Sequence, residues 1–236
     1  VGNGAFAKTE EDARKLAATM VKIGKLANLE TCAVITSMNE PLGKMVGNAL
    51  EIKEVIEFLN QNEFEYESDL HKDLKEIVEA MASFMIRMKD KGINFDVCKE
   101  KIKKAITSKV AYNKFLELIK AQGGMTKEVR FSKDGTIIEY PVLKDSVKYL
   151  KEIKAERTGC ITDINSKKIG EALVCLGGGR LKKEDTIDFG VGFEFVKKVG
   201  AYVTEGDTIV KVFYNDREKF EEAFSYISDG IIIQDI

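Results

Sequence analysis

The chain has 236 residues, of which 44% are apolar and 32% charged, a composition that suits a folded globular protein and excludes a disordered one. A formal net charge of −2 gives no electrostatic case for binding nucleic acid or an anionic membrane surface. Apolar runs are short, such as "CAVI" and "GIII", and none could span a bilayer. The expected partners therefore include no nucleic acid and no membrane.

The opening "VGNGAFAKTEEDARKLAATM" sets a glycine-rich corner at the first residues with no initiator Met, and it reads as the middle of a longer protein. Thr9 followed by Asp12 has the form of a capping box, and Glu10 and Glu11 favour the positive end of a helix dipole. Behind them Ala13, Leu16, Ala17, Met20, Gly24 and Ala27 recur at helical spacing. "TCAVIT" predicts a central strand covered on both faces. "SMNEPLGKMVGN" is a loop shaped by Pro41, Gly43 and Gly47, after which Ala49, Ile52, Val55, Ile56 and Leu59 mark one face of a second helix.

Three more helical stripes follow. The first runs through Leu70, Leu74, Ile77, Val78, Met81, Phe84, Met85 and Met88, and its Met-rich face is assigned to core packing. Cys98, Ile102, Ala105 and Ile106 form the second, and Tyr112, Phe115, Leu116 and Ile119 the third. After Gly124 the chain becomes polar and turn-rich, which marks a boundary. "KYLKEIKAERTGCITDI" predicts two strands joined at Gly159, followed by a helix over Ser166–Cys175. Further strands are punctuated at Gly200 and Gly206, and a last helix uses Phe220, Ala223, Phe224 and Ile227. The fold class expected is an α/β remnant, a mixed sheet with covering helices, followed by a smaller α+β C-terminal domain with antiparallel, barrel-sandwich-like strands. The divisions fall at residues 1–125, a linker over 126–144, and 145–236.

Little in this chain carries chemistry by spacing alone. Cys32, Cys98, Cys160 and Cys175 are scattered and read as free thiols of a reducing cytoplasm. The single histidine, His71, lies off the apolar stripe and is expected to face solvent. "CLGGGRLKKED" has glycines and basic residues suited to a phosphate cradle, but it lacks a P-loop ending and reads as a tight turn. "KKVGAYVTEGDTIVKVF" has the rhythm of biotinyl and lipoyl carriers without a lysine at a hairpin tip. In "NEPLGKMVGNALEIKE", loop carbonyls and Glu54 could converge on a hard cation, although a lone Glu on an exposed helix is the simpler reading.

Four stretches, "VGNGAFAKTEEDARKLAATMVKIGK", "MNEPLGKMVGNALEIKEVIE", "AQGG" and "LGGGRLKKEDTIDFGVGFEFVKKVG", together resemble the thymidine/pyrimidine-nucleoside phosphorylase family. They lie in family order and cover nearly the whole chain. The resemblance implies phosphorolysis of pyrimidine (deoxy)nucleosides to free base and (deoxy)ribose 1-phosphate, with phosphate as co-substrate and a homodimer as the full enzyme. It also implies that the phosphate loop and the residues holding the base lie upstream of Val1. No catalytic residue is assigned here, and the chain alone is expected to be inactive. Phe6 matches an aromatic bordering the pyrimidine pocket, and Ala7 stands where a Met is common. The cation, usually potassium in bacterial members, would take the carbonyl oxygens of Leu42 and Met45 and the carboxylate of Glu54. "SKVA" at Ser108–Ala111 departs from the usual Ser-Gly pattern. A nucleoside-monophosphate phosphorylase of the same superfamily and a non-catalytic binding or assembly module are the alternatives.

Overall fold

A computed structural model describes residues 1–64, 69–124, 130–131, 137–139 and 147–235. The linker expected over 126–144 falls largely outside the described residues; within it, β2 (Arg130–Phe131) pairs antiparallel with β3 (Ile137–Glu139).

Helix α1 (Glu10–Leu26) begins as its sequence requires, with Thr9 Oγ1 accepting the Asp12 amide at 3.2 Å. Of its apolar stripe only Gly24 packs closely, against Thr31. Leu16, Met20, Ile23 and Leu26 are all exposed, and within the helix only Gly24 is buried. The strand predicted at "TCAVIT" does not form either, and Val34 and Ile35 remain exposed. A strand needs a ladder partner, and what this stretch finds is the chain's opening corner. Thr36 O accepts the Val1 ammonium at 2.7 Å, the Met38 amide donates to Val1 O, and the Gly4 amide donates to Met38 O.

Helices α2 (Asn48–Leu59), α3 (Asp69–Lys89), α4 (Phe95–Thr107) and α5 (Val110–Ala121) follow. Phe58, Phe64, Ile102 and Ile106 form their buried centre, against which α3 lays Leu74, Val78, Ala82 and Ile86. This row of every fourth residue differs from the predicted stripe: Met81 and Met85 are exposed. The correction follows from helix packing, in which one ridge of fourth residues enters a neighbour's groove, and Met81 and Met85, one residue before that ridge, fall on its outer side.

Beyond residue 147 lie β4 (Tyr149–Lys154), β5 (Gly159–Ile164), α6 (Ser166–Cys175), β6 (Gly192–Phe195), β7 (Tyr202–Val203), β8 (Thr208–Tyr214), α7 (Arg217–Gly230) and β9 (Ile231–Gln234). β4 and β5 form where predicted but enter different sheets. One sheet has the order β1-β6-β8-β4, where β1 is Met45–Val46, and the other β7-β5-β9; all pairings are antiparallel. Phe193, Phe195, Val210, Val212, Ile161 and Ile164 fill the space beneath α6 and α7. Strand β1 leaves the helical portion of the chain to pair with β6, Met45 opposite Glu194 and Val46 opposite Phe193. That pairing places the loop before α2 against the β-rich portion.

Candidate cation site

Glu54 is held by the loop that precedes its own helix. Gly47 caps α2 at φ +124°, and Leu50, fully buried, anchors the helix one turn before Glu54. The Glu54 residue is only 4% exposed, which corrects the reading of a solvated carboxylate. Its Oε1 accepts the Lys44 amide at 2.8 Å and its Oε2 the Met45 amide at 3.4 Å. Gly43, at φ +67°, makes the approach possible, since a Cβ there would stand 2.6 Å from Oε2.

Amide donors, and among the described residues no lysine or arginine, meet the Glu54 carboxylate. Lys44 turns its Nζ to Glu57 at 3.1 Å and Glu194 at 3.9 Å instead. Among the described residues, no Lys or Arg pairs with Glu54. His71 Nδ1 lies 3.2 Å from Oε1, is buried, and forms no hydrogen bond. The expectation of a solvent-facing His71 is thus corrected: its face of α3 covers Glu54, and the side chain is 20% exposed.

Burial of a carboxylate is costly unless its oxygens are paired, and here amides and one imidazole face them. Most of the loop carbonyls are already engaged. Lys198 takes the carbonyls of Pro41 and Gly43, and the Phe195 amide takes that of Lys44. Among the described residues the Leu42 carbonyl accepts no hydrogen bond. Nor do three His, Cys, Asp or Glu side chains converge as metal ligands there. One carboxylate with main-chain oxygens is a donor set of low charge, suited to a hard monovalent cation.

The other sequence-derived residues lie apart from this site. Phe6 is fully exposed, on a corner tied to the start of α6 by the Lys167 amide donating to Asn3 Oδ1. No described contact links it to the Glu54 turn. The glycine loop at 177–179 is a turn, as expected, with Gly177 at φ +95° and the Asp188 amide bonded to its carbonyl. Nearby amides that an anion would need, those of Leu181 and Lys182, donate to Asp185 Oδ2. Sequence reasoning missed Asp73 and Lys198. The Gly43 amide reaches the Asp73 carboxylate at 3.2 Å, and Lys198 is 7% exposed. A lysine within a "KK" pair carries no sign that it will be buried.

Residues 160–234 match the family model described as the Pyrimidine nucleoside phosphorylase C-terminal domain. Over 234 residues, 99% of its length, the chain is 37% identical to a pyrimidine-nucleoside phosphorylase of Staphylococcus aureus strain USA300. The proteins of the same name from strains NCTC 8325 / PS 47 and bovine RF122/ET3-1 give the same identity and coverage. The chain is thus similar, over nearly all of its own length, to pyrimidine-nucleoside phosphorylases, and its end carries their C-terminal domain. It covers 50% of those relatives, so it spans about half the length of the curated proteins it matches. The similarity to these relatives extends well beyond the C-terminal domain and takes in the Glu54 loop.

Proposed function

We propose that this chain is a portion of a pyrimidine-nucleoside phosphorylase, an enzyme that uses phosphate to split pyrimidine (deoxy)nucleosides into free base and (deoxy)ribose 1-phosphate. What carries the reading is 37% identity over 99% of the chain to relatives of that name. In this reaction phosphate attacks the anomeric carbon as the base departs, through a transition state of oxocarbenium character. Rate then depends on positioned donors to phosphate and to the leaving base. In this reading those donors belong to polypeptide outside these 236 residues, and Phe6 borders the pyrimidine pocket they complete.

The bare stripe of α1, with Leu16, Met20, Ile23 and Leu26 exposed, supports this division, because it offers an apolar face for the rest of an α/β fold. The finer architecture follows: residues 1–125 complete an α/β domain, and 145–236 form an antiparallel, barrel-sandwich-like domain. Glu54, with the carbonyls of Leu42 and Met45, would hold a potassium ion, which would supply a fixed positive charge to the loop. In this reading the full enzyme works in the cytoplasm as a homodimer. Among the described residues no helix is long and apolar enough to cross a membrane.

The test is phosphate-dependent release of thymine from thymidine or uracil from uridine. The 236-residue chain should release neither above a mock preparation, and the same chain joined to the missing half of a relative should release at least one. Turnover by the chain alone would place the reacting groups within it. Silence of the joined protein, if it is folded, would reject the phosphorylase reading.

A further inference from the structure

Among the described residues two lysines are buried, Lys75 and Lys198, and the surroundings of Lys198 belong to the Glu54 turn. Its Nζ donates to the carbonyl of Pro41, to that of Gly43 at 2.9 Å and to Asp73 Oδ2 at 3.1 Å, with Glu40 Oε2 at 3.4 Å. The side chain is 8% exposed, against 32% for Asp73 and 34% for Glu40. An ammonium has three protons to give, and two carbonyls with two carboxylates use all of them. The carboxylates continue the network: Asp73 also accepts the Gly43 amide, and Glu40 the Val199 amide at 3.4 Å.

This cage adjoins the Glu54 cradle at Gly43. Gly43 gives its carbonyl to Lys198 and its amide to Asp73, and the next two amides, of Lys44 and Met45, hold Glu54. We propose that Lys198 is a positioning residue: a built-in ammonium, supplied by the segment after β6, that fixes the Pro41–Met45 turn and so sets where the Glu54 carboxylate stands. With Pro41 and Gly43 carbonyls drawn to one cation, the Leu42 carbonyl between them is left for another ligand. The Lys198 cage is an oxygen set for a small cation, filled from within the chain.

The inference extends the Glu54 reading, but its test involves neither potassium nor turnover, so the two fail separately. Amide hydrogen exchange at Lys44 and Met45 is followed in the 236-residue chain, with the amides of β8 as an internal reference. Lys198→Ala should speed exchange at Lys44 and Met45 by at least about tenfold and leave β8 within about twofold. Propylammonium chloride replaces the atoms removed and reaches the site through the bordering cavity of about 580 Å³, lined in part by Asp73, Lys197 and Gly200. It should restore slow exchange, whereas sodium chloride at equal ionic strength should not. Lys198→Met fills the space without a charge; it should show the same loss and no rescue. If Lys198→Ala does not fold, Lys198→Met against wild type decides. Unchanged exchange at Lys44 and Met45, an equal loss throughout β8, or indifference of Lys198→Ala to propylammonium would each overturn the proposal.

Discussion

The carboxylate of Glu54 occupies the space that a side chain on Gly43 would need. An added Cβ would stand 2.6 Å from Oε2 and 2.7 Å from Oε1, and residue 43 sits at φ +67°, where only glycine is free of strain. Gly43→Ala should therefore cost on the order of 2 kcal/mol, the combined effect of left-handed backbone and a displaced carboxylate. Urea denaturation measures it, and an unchanged midpoint would show that the turn adapts without loss.

Potassium response isolates the role of Glu54. In a phosphorylase of the relatives' full length, Glu54→Ala should abolish the rise in melting temperature that potassium chloride produces over sodium chloride. A mutant that keeps the wild-type response removes Glu54 from the ligand set.

The contact between β1 and β6 is closer than any side chain permits. A Cβ on Gly192 would lie 2.1 Å from Val46 O, which is main chain and cannot swing aside. Gly192→Ala should cost about 3–4 kcal/mol and loosen the pairing of Val46 with Phe193. A melting temperature equal to wild type would contradict the register described here.

Two phenylalanines should behave in opposite ways. Phe193 is fully buried beneath the C-terminal helices, and Phe193→Ala should cost about 3–5 kcal/mol. Phe6 is fully exposed, and Phe6→Ala should change the stability of this chain by less than about 0.5 kcal/mol. In the full-length protein the same change should raise the KM for nucleoside. An unaltered KM would remove Phe6 from the pocket wall.

Asp207 provides a pH dependence of defined sign. The Thr204 amide donates to its carboxylate at 2.9 Å, and this bond, aided by the Thr204 side chain, holds its pKa below the ordinary 3.8. The folded value is the lower one, so the bond stabilises the protein above 3.8 and ceases to do so as pH falls through the folded value. The gap between wild type and Asp207→Asn should thus be full at about pH 5 and close progressively below 3.8. Urea midpoints across that range check it; a gap that widens in acid has the wrong sign.

Local rules written in the chain were enough for the elements whose caps and turns are self-contained. Thr9 at the start of α1, Asn165 accepting two amides at the start of α6, and glycines at 200 and 206 all act within a few residues of themselves. The family resemblance drew attention to Glu54. What the sequence could not determine was which apolar faces find partners. The "TCAVIT" run and the α1 stripe have the right periodicity, yet no described element covers them, because periodicity records a demand for burial and not its fulfilment. The choice of the Leu74–Val78–Ala82–Ile86 row over the methionines was made by the grooves of neighbouring helices. The site itself depends on tertiary structure for the same reason. Lys198 reaches Asp73 and the Pro41 and Gly43 carbonyls because β1 pairs with β6, and the burial of a lysine more than a hundred residues from its partners is decided by that pairing.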